Sequence, residues 1–131
     1  MKGAIIGYIA ALVTIVALDA LWLGIVARDF YQARLGQLLL DRPSWLPAVV
    51  FYLIHAVGIT VFVLPSASTW LSAALLGALF GLCVYAAYDF TNLATVRGWP
   101  PVISFVDLAW GTIVTAAASI VAHLIVRRIT S

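Results

Sequence analysis

Four long apolar runs, separated by short polar stretches, dominate the pattern of the chain: Ala4–Ala27, Leu46–Leu64, Trp70–Phe90 and Val102–Val126. A helix needs about 20 mostly apolar residues to cross the hydrocarbon of a bilayer, and each run meets or nearly meets that length. None of them alternates apolar and polar residues as barrel strands do. An open sheet cannot satisfy its backbone in lipid. The pattern therefore predicts an all-α, polytopic membrane protein, with residues 1–131 forming one four-helix transmembrane domain.

The stretches between the runs refine this picture. Between Arg28 and Trp45, Tyr31, Leu35, Leu38 and Leu39 recur at helical spacing opposite Gln32, Arg34, Gln37 and Asp41. Such a stripe predicts a short interfacial helix lying along the membrane after the first span; a plain polar loop is the alternative. The connection Pro65 to Thr69 is short and uncharged, which makes spans two and three antiparallel neighbours. The third connection ends in Gly98-Trp99-Pro100-Pro101, a strong helix stop. Trp45, Trp70 and Trp99 fall at span ends and fit the aromatic belt of the membrane–water interface, an anchoring role.

Composition agrees with the pattern. The chain is 65% hydrophobic and 9% charged, against about 25% charged in a soluble domain. A chain of this length cannot hide so much apolar surface in one core. A net charge of +2 excludes a nucleic-acid-binding footprint. Cys83 is the lone cysteine, so no intrachain disulfide forms. The first run continues to Ala27, past the roughly 7–15 residues of a signal-peptide core, and reads as a retained span. Lys2, Arg127 and Arg128 on one side face Arg28, Arg34, Arg42 and Arg97 on the other, a near balance that leaves orientation undecided by positive charge.

Two rows of small residues recur every fourth position: Ala73, Gly77 and Gly81 in the third span, and Gly111, Thr115 and Ser119 in the fourth. Rows of this kind let membrane helices approach closely. Packing inside the bundle is the expected use, with a homo-oligomer contact as the alternative.

The unusual chemistry lies in the acids. Asp19, Asp89 and Asp107 sit within or at the edge of apolar spans, where a buried Asp costs about 2.5–3.5 kcal/mol on insertion scales. At the helical rise, Asp19 lies roughly 13 Å inside Arg28, and Asp107 roughly 9 Å inside Pro101. Together with Asp89 and His55 they occupy the half of the membrane opposite the termini. Faces agree with depth, because residues three and four apart share a helix face. Asp19 pairs with Trp22, Tyr52 with His55, and Asp107 with Trp110, while Tyr85, Tyr88, Asp89 and Asn92 form a polar patch. An inward pocket lined by all four spans follows, with these ten residues as the candidate ligand-binding set.

Each has a plainer reading. Asp107 near a helix N-terminus is favoured by the dipole. Asp89 near a C-terminus is not, and it would turn to Arg97 or to the Thr91–Asn92 region. His55 alone reads as a satisfied core histidine, His123 faces the interface, and the tyrosines brace the carboxylates. No phosphate loop, zinc pattern or nucleophile elbow is present, so no cofactor or metal is expected and catalytic residues stay unassigned.

Several strings resemble a known family: Asp19-Ala20-Leu21-Trp22-Leu23-Gly24, Phe30-Tyr31 with Leu35-Gly36, Trp45-Leu46-Pro47-Ala48 with Phe51-Tyr52, Tyr88-Asp89-Phe90-Thr91-Asn92-Leu93-Ala94-Thr95, Trp99-Pro100 and Asp107-Leu108-Ala109-Trp110-Gly111. Spread over nearly the whole chain, they resemble the bacterial membrane proteins of domain-of-unknown-function family 2177. The resemblance implies four helices and a bacterial inner membrane, and it brings no established activity. His55 departs from the pattern, which commonly has an aromatic such as Tyr there.

Three functions compete on this reading. The pocket binds or transports a small or lipid-like, hydrophobic or amphipathic molecule. Alternatively the protein is a membrane enzyme modifying a lipid or fatty acid, with Asp19 or Asp107 as acid/base. In the third, it is an accessory subunit of a larger membrane complex whose polar cluster only fixes helix register. Membrane lipids are partners in all three.

Overall fold

Each apolar run forms a helix, because a backbone in lipid must satisfy its own hydrogen bonds. The computed structural model describes residues 2–131. Helix α1 (Lys2–Leu21) runs on into a π-helical turn, Trp22–Val26, and after Ala27 the chain turns into the short α2 (Arg28–Leu35). The second span begins as α3 (Trp45–Gly58), continues through a second π-helical segment, Ile59–Val63, and closes in a 3₁₀ turn, Leu64–Ser66. Helices α4 (Trp70–Thr95) and α5 (Pro101–Thr130) are continuous and outlast the apolar runs that predict them. Among the described residues no strand occurs.

Four of these helices are long and apolar enough to cross a membrane. Within the most apolar stretch of each, only 17% to 39% of the residues are buried inside the protein. The remaining surface carries residues such as Ile25, Leu46, Ile54, Phe62, Leu75 and Ile113, each more than half exposed, and it contacts lipid. The predicted interfacial helix is present but short. It ends at Leu35, and Leu38 and Leu39 follow in a turn whose amides donate to the Leu35 carbonyl.

Local chemistry sets the boundaries. Thr69 caps α4 in a reciprocal box: its hydroxyl accepts from the Ser72 amide, while the Ser72 hydroxyl accepts from the Thr69 amide. Pro101 opens α5 at a position that needs no amide donor. Between α4 and α5, Gly98 takes a φ of 78°, a left-handed turn that a side chain would strain.

The two small-residue rows face each other. Ala73, Gly77 and Gly81 of α4 are buried against Gly111, Thr115 and Ser119 of α5. A methyl group added at Gly77 would lie 2.9 Å from the Thr115 carbonyl oxygen, closer than real contacts allow. The backbones meet here because no side chain stands between them. The rows therefore serve packing inside the chain. On the side of the termini, α1, the end of the second span and α5 share a dry core of Ala11, Ile15, Ile59, Val63, Ala118 and Ala122.

Spans two and three behave differently from simple antiparallel neighbours. They meet closely through Ile59–Val63 and the turn that follows, near the connection. Farther from it, aromatic side chains stand between α3 and α4: His55 stacks on Phe80 at 5.2 Å, and Phe51 meets Tyr85 edge-on at 6.2 Å. The bulk of these rings holds the helices apart on the side opposite the termini.

Candidate functional site

A cavity of about 510 Å³ fills the space opened on that side. All four spans and α2 line it. Its walls carry Asp19 and Trp22 from the first span, Tyr52 from the second, Tyr85 and Tyr88 from the third, and Asp107 and Trp110 from the fourth.

Two Asp-x-x-Trp segments, one near the end of the first span and one near the start of the last, organise the inner wall. Because the spans run antiparallel, the segments meet head to tail. The Trp110 indole donates to Asp19 Oδ1 at 2.6 Å, and the Tyr52 hydroxyl donates to Asp19 Oδ2 at 2.7 Å. In the other direction, the Trp22 indole donates to the Tyr31 hydroxyl at 3.3 Å, and that hydroxyl donates to Asp107 Oδ1. Between the two carboxylates the indoles of Trp22 and Trp110 stack with centroids 4.5 Å apart and planes 7° from parallel. Each tryptophan thus serves the other segment's aspartate, directly or through Tyr31. The stack adds about 0.5–1.5 kcal/mol beyond the area it buries.

The π-helical turn at Trp22–Val26 makes this possible. Its closing bond runs from the Ala27 amide to the Trp22 carbonyl, at 2.7 Å. The wider turn ends the span and sends the chain into α2, whose Tyr31 and Leu35 pack back on Ile103. Turns of this kind recur at functional sites in helical proteins. Burial, and then the hydrogen bond to Asp107, push the Tyr31 phenol above its ordinary pKa, so it serves as a neutral donor.

Three of the predicted residues lie outside the lining. His55 is buried behind the cavity, stacked between Phe51 and Phe80, with Nε2 3.0 Å from the Thr115 hydroxyl. Asn92 lies beside Tyr88, one turn along α4. Asp89 is fully buried and neither of its carboxyl oxygens has a protein donor. Its expected partners, Arg97 and the Thr91–Asn92 region, do not hold it; it lies against Asp107 instead. The reason is that α4 continues to Thr95, so Asp89 sits well inside the helix and faces α5.

Other placements also differ from the sequence reading. His123 is buried at 6% exposure rather than facing the interface, with Nε2 unpartnered. Trp99 does more than anchor. It lines the cavity, donates to the Ser104 hydroxyl at 3.1 Å, and meets Tyr88 edge-on, whereas Trp45 and Trp70 are exposed as belt residues are. Sequence reasoning placed Tyr31 only on the apolar stripe of α2 and passed over Arg28, Gln32 and Phe51, which also line the cavity. Gln32 is not opposite Leu35 and Leu39 as the stripe suggested: Arg28, Gln32, Leu35 and Leu39 follow one another at spacings of three and four, share a face, and were the available signal.

The family of predicted membrane proteins DUF2177 has a sequence model that matches residues 4–124. The chain belongs to the DUF2177 family. No curated protein and no solved structure matches it. The match takes in both Asp-x-x-Trp segments, α2 and every residue of the cavity wall named above, so the whole site of this DUF2177 protein lies within the family's sequence.

Proposed function

We propose that this DUF2177 protein binds a small amphipathic or lipid-like molecule in the cavity between its spans. The observation that carries the reading is the cavity itself, roomy and apolar around two carboxylates on its inner wall. Leu23, Leu35, Leu39, Ala48 and Val84 offer surface for a hydrocarbon chain, and Asp19 and Asp107 offer acceptors for a polar end. Leu23, Phe51 and Tyr88 line the cavity while remaining exposed, so a molecule dissolved in the bilayer has a way in. Pockets of this size, mostly apolar with few convergent polar groups, are the usual form of a small-molecule site. The bilayer in this reading is a bacterial inner membrane, as the family resemblance implies.

The test is retention. Protein purified in mild detergent is extracted, and the extract is compared by mass spectrometry with the bulk membrane. Wild type should be enriched in one class of amphipath. Ala48→Trp, which fills the cavity from α3, should lose that enrichment while keeping its thermal midpoint. An extract indistinguishable from bulk membrane in both proteins would refute the reading.

A further inference from the structure

The walls of the cavity are chemically one-sided. Asp19 and Asp107 receive only neutral donors, two indoles and two phenols counting the link through Tyr31. Among the described residues, no cationic side chain bonds to either. Behind Asp107, the buried Asp89 brings a further carboxyl group with no donor on either oxygen. The one arginine in the lining, Arg28, stands at the start of α2, is exposed, and bonds to neither Asp19 nor Asp107. Around the carboxylates the walls are aromatic: Trp22, Trp110, Phe51, Tyr52, Tyr85 and Tyr88.

Each ligand class meets this wall differently. An anionic head group would be driven into a place already holding uncompensated carboxylates, where like charges repel strongly at low dielectric. A neutral hydroxyl would leave the carboxylates without a counter-charge, which is costly away from water. An ammonium group supplies the missing charge, and it is also attracted to the faces of aromatic rings, tryptophan above all. Its hydrocarbon chain would then lie along the leucines of the outer cavity.

We infer that the polar end of the bound molecule is an ammonium group, quaternary or primary, held at Asp19 and Asp107 within the aromatic wall. This rests on the reading of the cavity as an amphipath site and names the class of head group that site takes.

The experiment uses the full chain in nanodiscs of neutral lipid and three probes of equal chain length: decyltrimethylammonium, decanoate and decanol. Binding is read from tryptophan fluorescence, corrected for partition into empty nanodiscs, and Trp110→Phe identifies the signal that comes from the cavity. The ammonium probe should bind at least about tenfold more tightly than the other two. The double variant Asp19→Asn/Asp107→Asn should lose that preference and still bind decanol. Equal binding of all three probes would overturn the ammonium assignment and leave the amphipath site standing. A preference for decanoate would overturn it in favour of Arg28. Binding of none would bring down both readings. The comparison among probes on the wild-type protein decides the matter even if the double variant does not fold.

Discussion

On the side of the termini the bundle closes on itself; on the other side the same spans stand apart. The closed half is made of small and branched apolar residues. Gly77 and Gly81 bring the backbone of α4 onto α5, and Ile15, Ile59 and Val63 fill what remains between α1, the second span and α5. The open half is made of rings and carboxylates, with Phe51, Tyr85 and Trp110 holding helices apart around Asp19 and Asp107. In lipid, helices gain little from burying apolar surface against one another and depend on close packing and hydrogen bonds. The first half uses the packing and the second half uses the bonds. A division of labour follows, in which stability resides where the backbones touch and ligand recognition where they do not.

The strongest way to break this division is at Gly81, where an added side chain would strike the Gly111 carbonyl and Thr115. Gly81→Leu should cost about 3 kcal/mol. Thermal unfolding in detergent should show a greatly lowered midpoint, with ligand binding lost only as the fold is lost. The opposite outcome is expected at Asp19→Asn. It should abolish retention of the ligand and shift stability by less than about 1.5 kcal/mol, because the amide still accepts one of the two bonds and a buried charge is removed. If Asp19→Asn destabilises as much as Gly81→Leu, the carboxylate is structural and the division fails.

A smaller effect sharpens the boundary between the halves. Tyr31→Phe removes the phenol through which α2 is tied to Asp107. Amide exchange in α2 should quicken by about tenfold, the loss of one hydrogen bond to a charged group, while exchange in α4 stays unchanged. The same bond has a pH signature. Because the Tyr31 phenol is raised above its ordinary value in the folded protein, its contribution is full below about pH 10, where a free tyrosine ionises, and declines as pH rises beyond that. The smallest effect is at Cys83, exposed midway along α4. A lipid-soluble maleimide should label it in intact membranes, a charged one should not, and neither reaction should alter stability or binding. Labelling by the charged reagent would place water against the outer face of α4.

Much of this architecture was legible in the residues, and the parts that were not share a cause. Continuous apolar runs betray spans because the bilayer imposes a length and an exclusion of charge on each residue separately. Asp19 and Asp107 stood out for the same reason. The opening between α3 and α4 depends on how Phe51, Phe80 and Tyr85 pack around His55 across helices, and no local pattern encodes that. Tyr31 shares its helical spacing with leucines, so the stripe concealed a hydrogen-bonding residue. Asp89 was read against the end of an apolar run, whereas the helix continues through Thr91, Asn92 and Thr95, whose hydroxyls at Thr91 and Thr95 bond back to α4 carbonyls. A run of hydrophobicity ends where polarity begins; a helix ends only where its backbone finds other partners.

The interlocked Asp-x-x-Trp segments also set an order on biogenesis. Asp19 leaves the ribosome early, in the first span, yet its indole partner lies 91 residues later. At roughly 5–20 residues per second the nascent chain waits about 5–18 s between the two. Throughout that interval the first span holds a carboxylate in or near the bilayer with no tryptophan to receive. Tyr52 arrives 33 residues after Asp19, early in the interval, and can relieve one oxygen; Trp110 completes the pair only as the fourth span enters. The first and fourth spans are therefore joined only once the fourth has been made, and the cavity comes into being in that step.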